Sequence, residues 1–167
     1  VSADISRPLS PYAASKGAPE LLCHTYHHLY GLEITVLRYF TVFGPRQRPD
    51  MSIHRLCEAV LTGDSFPRFG DGTQVREFTY VADIVAANLS AAAAEVAPGT
   101  VVNIAGGGEI TLNELVEDQP AQAGDARRNG GATERAHRLL GWSPRVGLRD
   151  GIAVQLAWHR ARRQLTV

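Results

Sequence analysis

Residues 10–40 have the sequence SPYAASKGAPELLCHTYHHLYGLEITVLRYF, a helix-like stretch followed at once by a strand-like one. Ser10 is a capping-type residue and Pro11 suits a first helical turn, so the pattern predicts a helix that runs to about Tyr30. Residues 32–40 are β-branched and nearly all apolar, which is typical of a strand buried on both faces of a parallel sheet. Helix and strand keep alternating beyond this stretch, and the sequence therefore predicts an α/β fold.

The rest of the chain yields further predicted elements from the same periodicities. In chain order they are a loop at 41–49, a helix at 50–62, a strand at 77–81, a helix at 82–94, a strand at 100–105, a helix from about 111, and helices at 133–140 and 148–164. Residues 119–131 have little periodicity.

Composition narrows the classes of function. The chain has 17 basic and 17 acidic residues, and this balance gives no field to attract a polyanion, so no nucleic-acid partner is expected. An anionic small ligand can still be held by a few local arginines. No apolar run reaches membrane-spanning length and no secretory leader opens the chain, which predicts a cytoplasmic protein without a membrane partner. Cys23 and Cys57 are expected to be free thiols.

Tyr12 and Lys16 carry the clearest chemical signal. Four residues apart on a helix, they share one face. An ammonium beside a phenol favours the phenolate form, and a phenolate is the general base needed to take a proton from a sugar hydroxyl while hydride leaves the same carbon. A Tyr-x-x-x-Lys pair alone is a weak motif, but the longer string 10–16 also fixes the helix start and its small neighbours.

The string 10–16 resembles the active-site helix of the extended short-chain dehydrogenase/reductase family, which includes nucleotide-sugar epimerases and dehydratases. The resemblance continues in LRYFTVFGPR (37–46), FGDGTQVREFTYVAD (69–83), VNI (102–104) and LGWSP (140–144). It implies the C-terminal part of an NAD(P)-binding Rossmann-like enzyme with its substrate-binding subdomain. Residues 1–62 would close the Rossmann-like domain, and 63–167 would form mainly the nucleotide-sugar subdomain, with the strand near 100–105 returning to the main sheet.

The resemblance also implies roles for particular residues. Tyr12 and Lys16 would be catalytic, and the residues meeting NAD would be Tyr12, Lys16, Phe40 and Val42. The residues meeting a UDP-sugar would be Thr41, Arg46, Arg48, Pro67, Phe69, Arg76, Asp125 and Arg127. No metal is expected, because the helical histidines His24, His27 and His28 are joined by no carboxylate or cysteine cluster.

Some parts of the family pattern are missing from these residues. The Gly-x-x-Gly-x-x-Gly turn that anchors NAD does not occur, nor does the Ser or Thr that polarises the sugar hydroxyl upstream of the tyrosine. The stretch between Glu117 and Gly124 is shorter than in relatives. We therefore expect the sequence to be part of a larger protein and to be inactive by itself.

The resemblance implies NAD-dependent epimerisation at C4 of a UDP-hexose through a 4-keto intermediate. Thr41 stands where many UDP-glucose epimerases carry asparagine, and 41–51 is more similar to UDP-glucuronate 4-epimerases. Thr41, Arg46 or Arg48 would then satisfy the C6 carboxylate. The alternatives are a UDP-glucose 4-epimerase, a 4,6-dehydratase, a UDP-glucuronate decarboxylase and a non-catalytic sugar-nucleotide-binding fragment. Relatives commonly dimerise through the tyrosine helix, so a homodimer is expected.

Overall fold

The computed structural model describes residues 7–66, 71–106, 109–115, 128–129 and 131–165. Helices and strands alternate along these residues, which confirms the predicted α/β class. In chain order the elements are α1 (Pro11–Tyr30), β1 (Val36–Tyr39), β2 (Thr41–Phe43), α2 (Ser52–Thr62), β3 (Val75–Tyr80), α3 (Val81–Ala93), β4 (Val101–Ile104), β5 (Glu109–Thr111), α4 (Leu112–Leu115), β6 (Arg128–Asn129), α5 (Glu134–Leu140) and α6 (Leu148–Gln164).

Helix α1 has well-defined ends. The Ser10 hydroxyl oxygen accepts a hydrogen bond from the Ala13 N–H at 3.1 Å, and Pro11 occupies the first turn. Both features satisfy or remove amide donors that have no partner inside the helix. At the other end Gly31 takes a left-handed conformation, with φ of 66°, and its N–H donates to the His27 carbonyl. None of the helices that the structure describes is long and apolar enough to cross a membrane.

The strands form two sheets. In the first, β1 pairs in parallel with β4, from Val36 opposite Val101 to Tyr39 opposite Ile104. In the second, β3 pairs in parallel with β2 and β6 and antiparallel with β5. The chain leaves the first sheet after Tyr39 and joins the second at Thr41, so Phe40 alone connects β1 to β2.

Two sequence predictions near this junction were wrong. The loop predicted at 41–49 begins with a strand, because Thr41-Val42-Phe43 is β-branched and aromatic and finds a partner in β3. The strand predicted at 32–40 is shorter and is not buried on both faces. Its central residues are half-buried and Tyr39 is exposed, because the described elements cover β1 only in part.

The core has two clusters. The first surrounds β4 and consists of Ile84, Ala87, Val102, Ile104, Ala136, Leu140 and Trp142. The second lies where α2 and α6 meet the second sheet and consists of Phe43, Ile53, Cys57 and Phe78. Helix α6 approaches this sheet closely at Gly151, where an added Cβ would lie 2.5 Å from the Phe43 ring.

Buried polar groups fasten the motif at 140–144 to α3. The Trp142 indole N–H donates to the Asp83 carbonyl at 2.9 Å, and the Asp83 carboxylate accepts from the Val146 N–H at 3.0 Å. Asp83 is only 3% exposed, so the bond from Val146 offsets the cost of burying its carboxylate, and the bond from Trp142 pairs its backbone carbonyl. These family-like residues therefore hold the fold together and stay away from the cleft described next.

Candidate active site

An open cleft of about 1060 Å³ lies between α1, β1 and the chain that follows β1. Ligand sites in α/β sheets lie at the carboxyl ends of parallel strands, and this cleft runs along β1 and past its carboxyl end. The predicted site residues that line it are Tyr12, Lys16, Phe40, Thr41, Val42, Arg46 and Arg48. The fold thus brings residues from Tyr12 to Arg48, which span about one fifth of the chain, to one surface.

Tyr12 and Lys16 lie on consecutive turns of α1 and face the cleft together. The Lys16 ammonium nitrogen lies 5.5 Å from the centre of the Tyr12 ring. Tyr12 is 72% exposed, so its ring is accessible to a molecule bound in the cleft. The pair thus has the accessibility and proximity that a phenol-based proton transfer requires.

An ion pair between Glu20 of α1 and Arg38 of β1 holds the helix against the strand, close to Tyr12 and Lys16. The Arg38 guanidinium donates from Nε and Nη2 to the two Glu20 carboxylate oxygens, each at 2.7 Å. The contact is bidentate and charge-assisted, which makes it stronger and more directional than a neutral hydrogen bond. Glu20 raises the pKa of Arg38 above its ordinary value. Glu20 comes one turn after Lys16, so the ion pair fixes the helix close to the catalytic candidates.

A buried amide network supports the opposite wall of the cleft. Gln155 of α6 is fully buried, and its carbonyl oxygen accepts from the Gly44 N–H at 2.8 Å. Its amide nitrogen donates to the Gln47 side-chain oxygen at 3.0 Å, and Gln47 donates in turn to the Val42 carbonyl at 2.8 Å. Gly44 has a φ of 138°, and an added Cβ would lie 2.6 Å from Val81, so only glycine fits this close approach.

Two arginines, Arg46 and Arg48, extend this wall, and they differ in backbone conformation and in ion pairing. Arg46 has a φ of 68°, a left-handed conformation that costs a non-glycine residue about 1–2 kcal/mol. Strain of this kind is concentrated at functional sites. No ion pair holds the Arg46 side chain within the described part of the chain. Arg48 donates to the Asp50 carboxylate at 2.9 Å, and both side chains of that pair are exposed.

The cleft carries a local positive charge although the chain is neutral. Among its lining residues the charged side chains are Lys16, Glu20, Arg38, Arg46 and Arg48, four basic and one acidic. Glu20 neutralises Arg38 and Asp50 pairs with Arg48, which leaves Lys16 and Arg46 as the lining basic groups that no ion pair holds among the described residues. This arrangement favours an anionic ligand, a possibility that the sequence left open.

Comparison with known proteins places the chain in a family. The model of the NAD dependent epimerase/dehydratase family matches residues 2–105, which is more than half of the chain. The chain belongs to the NAD dependent epimerase/dehydratase family. The family predicted from the motifs is thereby confirmed.

Individual members of the family are similar to this chain in sequence, and one of them in structure. A UDP-glucuronate 4-epimerase of Thermodesulfobacterium geofontis is 37% identical, over 96% of this chain and 54% of that protein. A dTDP-glucose 4,6-dehydratase of Streptomyces griseus is 35% identical, over 94% and 52%. The crystal structure of UDP-glucuronic acid 4-epimerase from Bacillus cereus, in complex with UDP-glucuronic acid and NAD, superposes with a TM-score of 0.86 at 35% identity, over 93% and 54%. The chain spans about half the length of these relatives.

The remaining predicted site residues have different outcomes. Arg76 lies in β3, where its guanidinium donates to the Val75 carbonyl at 3.1 Å, and it is not among the residues lining the cleft. Four others, Pro67, Phe69, Asp125 and Arg127, lie outside the described residues.

The sequence did not predict the roles of Glu20, Gln47 and Gln155 beside the cleft. Glu20 carried a usable signal, because it follows Lys16 by four residues and therefore shares its helix face. An arginine inside an apolar strand, as at position 38, also signals a buried acidic partner. Gln155 had no such signal, because its partner Gly44 is a backbone group 111 residues away.

We expect Gln155→Leu to destabilise the fold, because the substitution leaves the buried Gly44 N–H without an acceptor. A buried donor without a partner costs about 1–3 kcal/mol. Chemical denaturation followed by circular dichroism measures the change in the free energy of unfolding. The matched control is Gln164→Leu, at the exposed end of the same helix, which should change stability by less than about 0.5 kcal/mol. Equal effects of the two substitutions would show that the bond to Gly44 contributes nothing.

Proposed function

We propose that the protein is an NAD-dependent UDP-sugar 4-epimerase whose substrate is UDP-glucuronate. One observation carries this proposal: Tyr12 and Lys16 face the same cleft as the segment 40–46, in which Arg46 has a left-handed backbone. Without that convergence the two residues would be an ordinary pair on a solvated helix. The Bacillus cereus enzyme of the same fold, crystallised with UDP-glucuronic acid and NAD, supports the choice of substrate and cofactor.

The residues of this chain would move a proton at the sugar. Tyr12, as phenolate, takes the proton of the C4 hydroxyl and later returns it to the reduced sugar. Lys16, one turn away, stabilises the phenolate by its positive charge. The 4-keto sugar formed between these steps turns over in the cleft, so that C4 presents its other face.

The cleft fits NAD in three respects. It extends past the carboxyl end of β1, it is lined by Phe40 and Val42 on the supported wall, and its uncompensated charges are positive. NAD bound there would supply the acceptor for the C4 hydride and the donor for its return. Lys16, Phe40 and Val42 would hold the nicotinamide end beside Tyr12.

The cleft wall supports a sugar acid in particular. Arg46 has a strained backbone and a guanidinium that no ion pair holds among the residues that the structure describes, and Thr41 begins the same wall. A carboxylate at C6 would accept charge-assisted hydrogen bonds from these groups. Arg48 is less suited, because Asp50 already partly neutralises it.

Tyr12→Phe should reduce kcat by about 10²–10⁴-fold, since it removes the group that moves the proton. Binding of UDP-glucuronate should change little, because the ring remains. Turnover and calorimetric affinity are measured on the protein expressed from its complete gene. Tyr30→Phe, at the exposed end of the same helix, is the matched control and should keep full activity. Retained turnover in Tyr12→Phe would refute the proposed chemistry.

Arg46→Gln should lower kcat/KM for UDP-glucuronate by about 10–100-fold, the worth of a hydrogen bond between charged groups. It should lower kcat/KM for UDP-glucose by much less, because that sugar has no C6 carboxylate. Arg149→Gln, on the exposed face of α6, serves as the control. If the unmodified protein prefers UDP-glucose, or if both substrates lose equally, the assignment of the sugar acid is wrong.

A lyase is the second candidate, favoured by the similarity to the Streptomyces griseus dehydratase. A 4,6-dehydratase or a UDP-glucuronate decarboxylase begins with the same oxidation at C4, so Tyr12 and Lys16 would serve it equally. Mass analysis of the product separates these reactions, because an epimerase leaves the mass unchanged and a lyase removes water or carbon dioxide. A non-catalytic sugar-nucleotide-binding protein would show affinity without turnover.

Several assignments stay proposals that rest on the motifs. Arg76 would contact the diphosphate, and Pro67 and Phe69 would flank the uracil. Asp125 and Arg127 would lie near the ribose and phosphates. We also propose the division at residue 62 between the end of the Rossmann-like domain and the sugar-nucleotide subdomain. A cytoplasmic location is proposed as well, supported by the free thiols of Cys23 and Cys57.

We propose that the protein is a homodimer that associates through α1. Leu22, Tyr26 and Leu29 recur at helical spacing and are each about half exposed or more. A contiguous apolar stripe of this kind is typical of an interface. Leu29→Glu should shift the species seen in sedimentation velocity from dimer towards monomer. Val60→Glu, at an equally exposed apolar residue of α2, should not. A monomeric unmodified protein would contradict the proposal.

A further inference from the structure

A second polar cluster lies between α2 and α6, and none of its members lines the cleft. His54 and Glu58 are one turn apart on α2, and His159 belongs to α6. One nitrogen of each histidine and one carboxylate oxygen of Glu58 all lie within 4.8 Å of one another. Both histidines are buried, His54 at 7% exposure and His159 at 1%. The proposed epimerase reaction uses none of these groups.

The hydrogen bonds of the two imidazoles fix where their protons lie. His54 Nδ1 is 2.8 Å from the Gln47 carbonyl oxygen, and His159 Nδ1 contacts a Glu58 carboxylate oxygen. Carbonyl and carboxylate oxygens accept hydrogen bonds, so in the neutral ring each Nδ1 carries the proton and each Nε2 keeps a lone pair. His159 Nε2 is buried and has no hydrogen-bond partner among the described residues. A buried polar atom without a partner calls for a physical explanation.

This arrangement matches the surroundings of metal-binding histidines. Such histidines usually donate their other ring N–H to a carboxylate or a backbone carbonyl, which orients the ring and makes the ligating nitrogen more basic. Here the Glu58 carboxylate accepts the hydrogen bond from His159, and the Gln47 carbonyl accepts the one from His54.

We propose that His54 and His159 bind a divalent first-row transition-metal ion of the zinc class through their Nε2 atoms. Imidazole nitrogen is a preferred ligand of Zn²⁺ and its neighbours, and water would complete the coordination. Glu58 orients His159 from behind, and Arg163 donates to the other Glu58 oxygen at 2.6 Å. The ion would tie α2 to α6 at the point where His54 holds Gln47 of the cleft wall.

Cobalt binding tests the site directly. The protein expressed from its complete gene is treated with a chelator and titrated with Co²⁺, whose visible absorption changes on coordination by nitrogen. We expect saturable visible bands, and a rise in the melting temperature when Zn²⁺ is added, because a ligand that binds the folded state stabilises it. If the unmodified protein shows neither the bands nor the shift, the site does not exist.

Variants locate the ligands. His159→Gln and His54→Gln should abolish the bands, and Glu58→Gln should weaken Co²⁺ binding by about 10–100-fold, the usual effect of losing a partner behind a ligand. His28→Gln, on the exposed surface of α1, is the control and should bind as the unmodified protein does. Glu58 is partly exposed, so its variant remains informative if a histidine variant fails to fold. Bands that persist unchanged in Glu58→Gln and His54→Gln would overturn the assignment.

This site does not depend on the proposed epimerase activity. Its readouts are absorption and melting temperature, which stay interpretable whatever reaction the protein catalyses.

Discussion

The two-pronged ion pair between Glu20 and Arg38 is the constraint on which the site depends. Helix α1 buries little of its own surface within the described residues, since Gly17 is its only buried member there. Apolar packing therefore does little to fix how α1 is placed on β1. The ion pair fixes it instead, because a guanidinium fork accepts a carboxylate in few orientations. The position of Tyr12 relative to the cleft follows from that geometry.

Local signals in the sequence were enough to place most elements. The cap at Ser10 and Pro11 set the start of α1, and the apolar periodicity of 148–164 gave α6 with its observed limits. These features are predictable because the physics that determines them acts within a few residues. The convergence of Tyr12 with Phe40 followed from the family motifs rather than from periodicity.

The errors have a common origin in contacts that are distant along the chain. Residues 41–43 form a strand because β3 lies beside them. A sequence pattern of a few residues cannot predict a strand partner that is more than thirty residues away. The support that Gln155 gives to the cleft wall was missed for the same reason, because its partner Gly44 is distant along the chain. The cluster of His54, Glu58 and His159 was also missed, because its third member belongs to a helix about one hundred residues downstream. The helical histidines that the sequence did draw attention to, such as His24 and His28, are exposed.

The single-residue passage at Phe40 has a mechanical consequence. Two sheets meet there with no intervening loop to absorb a change in their relative angle. A tilt of the second sheet would therefore move the backbone that follows Phe40. Tyr12 would not follow it, because α1 is attached to β1 of the first sheet. Substitutions on the far side of the second sheet would thus alter the distance between the Tyr12 phenol and the segment 41–46 without touching either. The width of the cleft at this point therefore depends on how the two sheets are joined as well as on the side chains that face it.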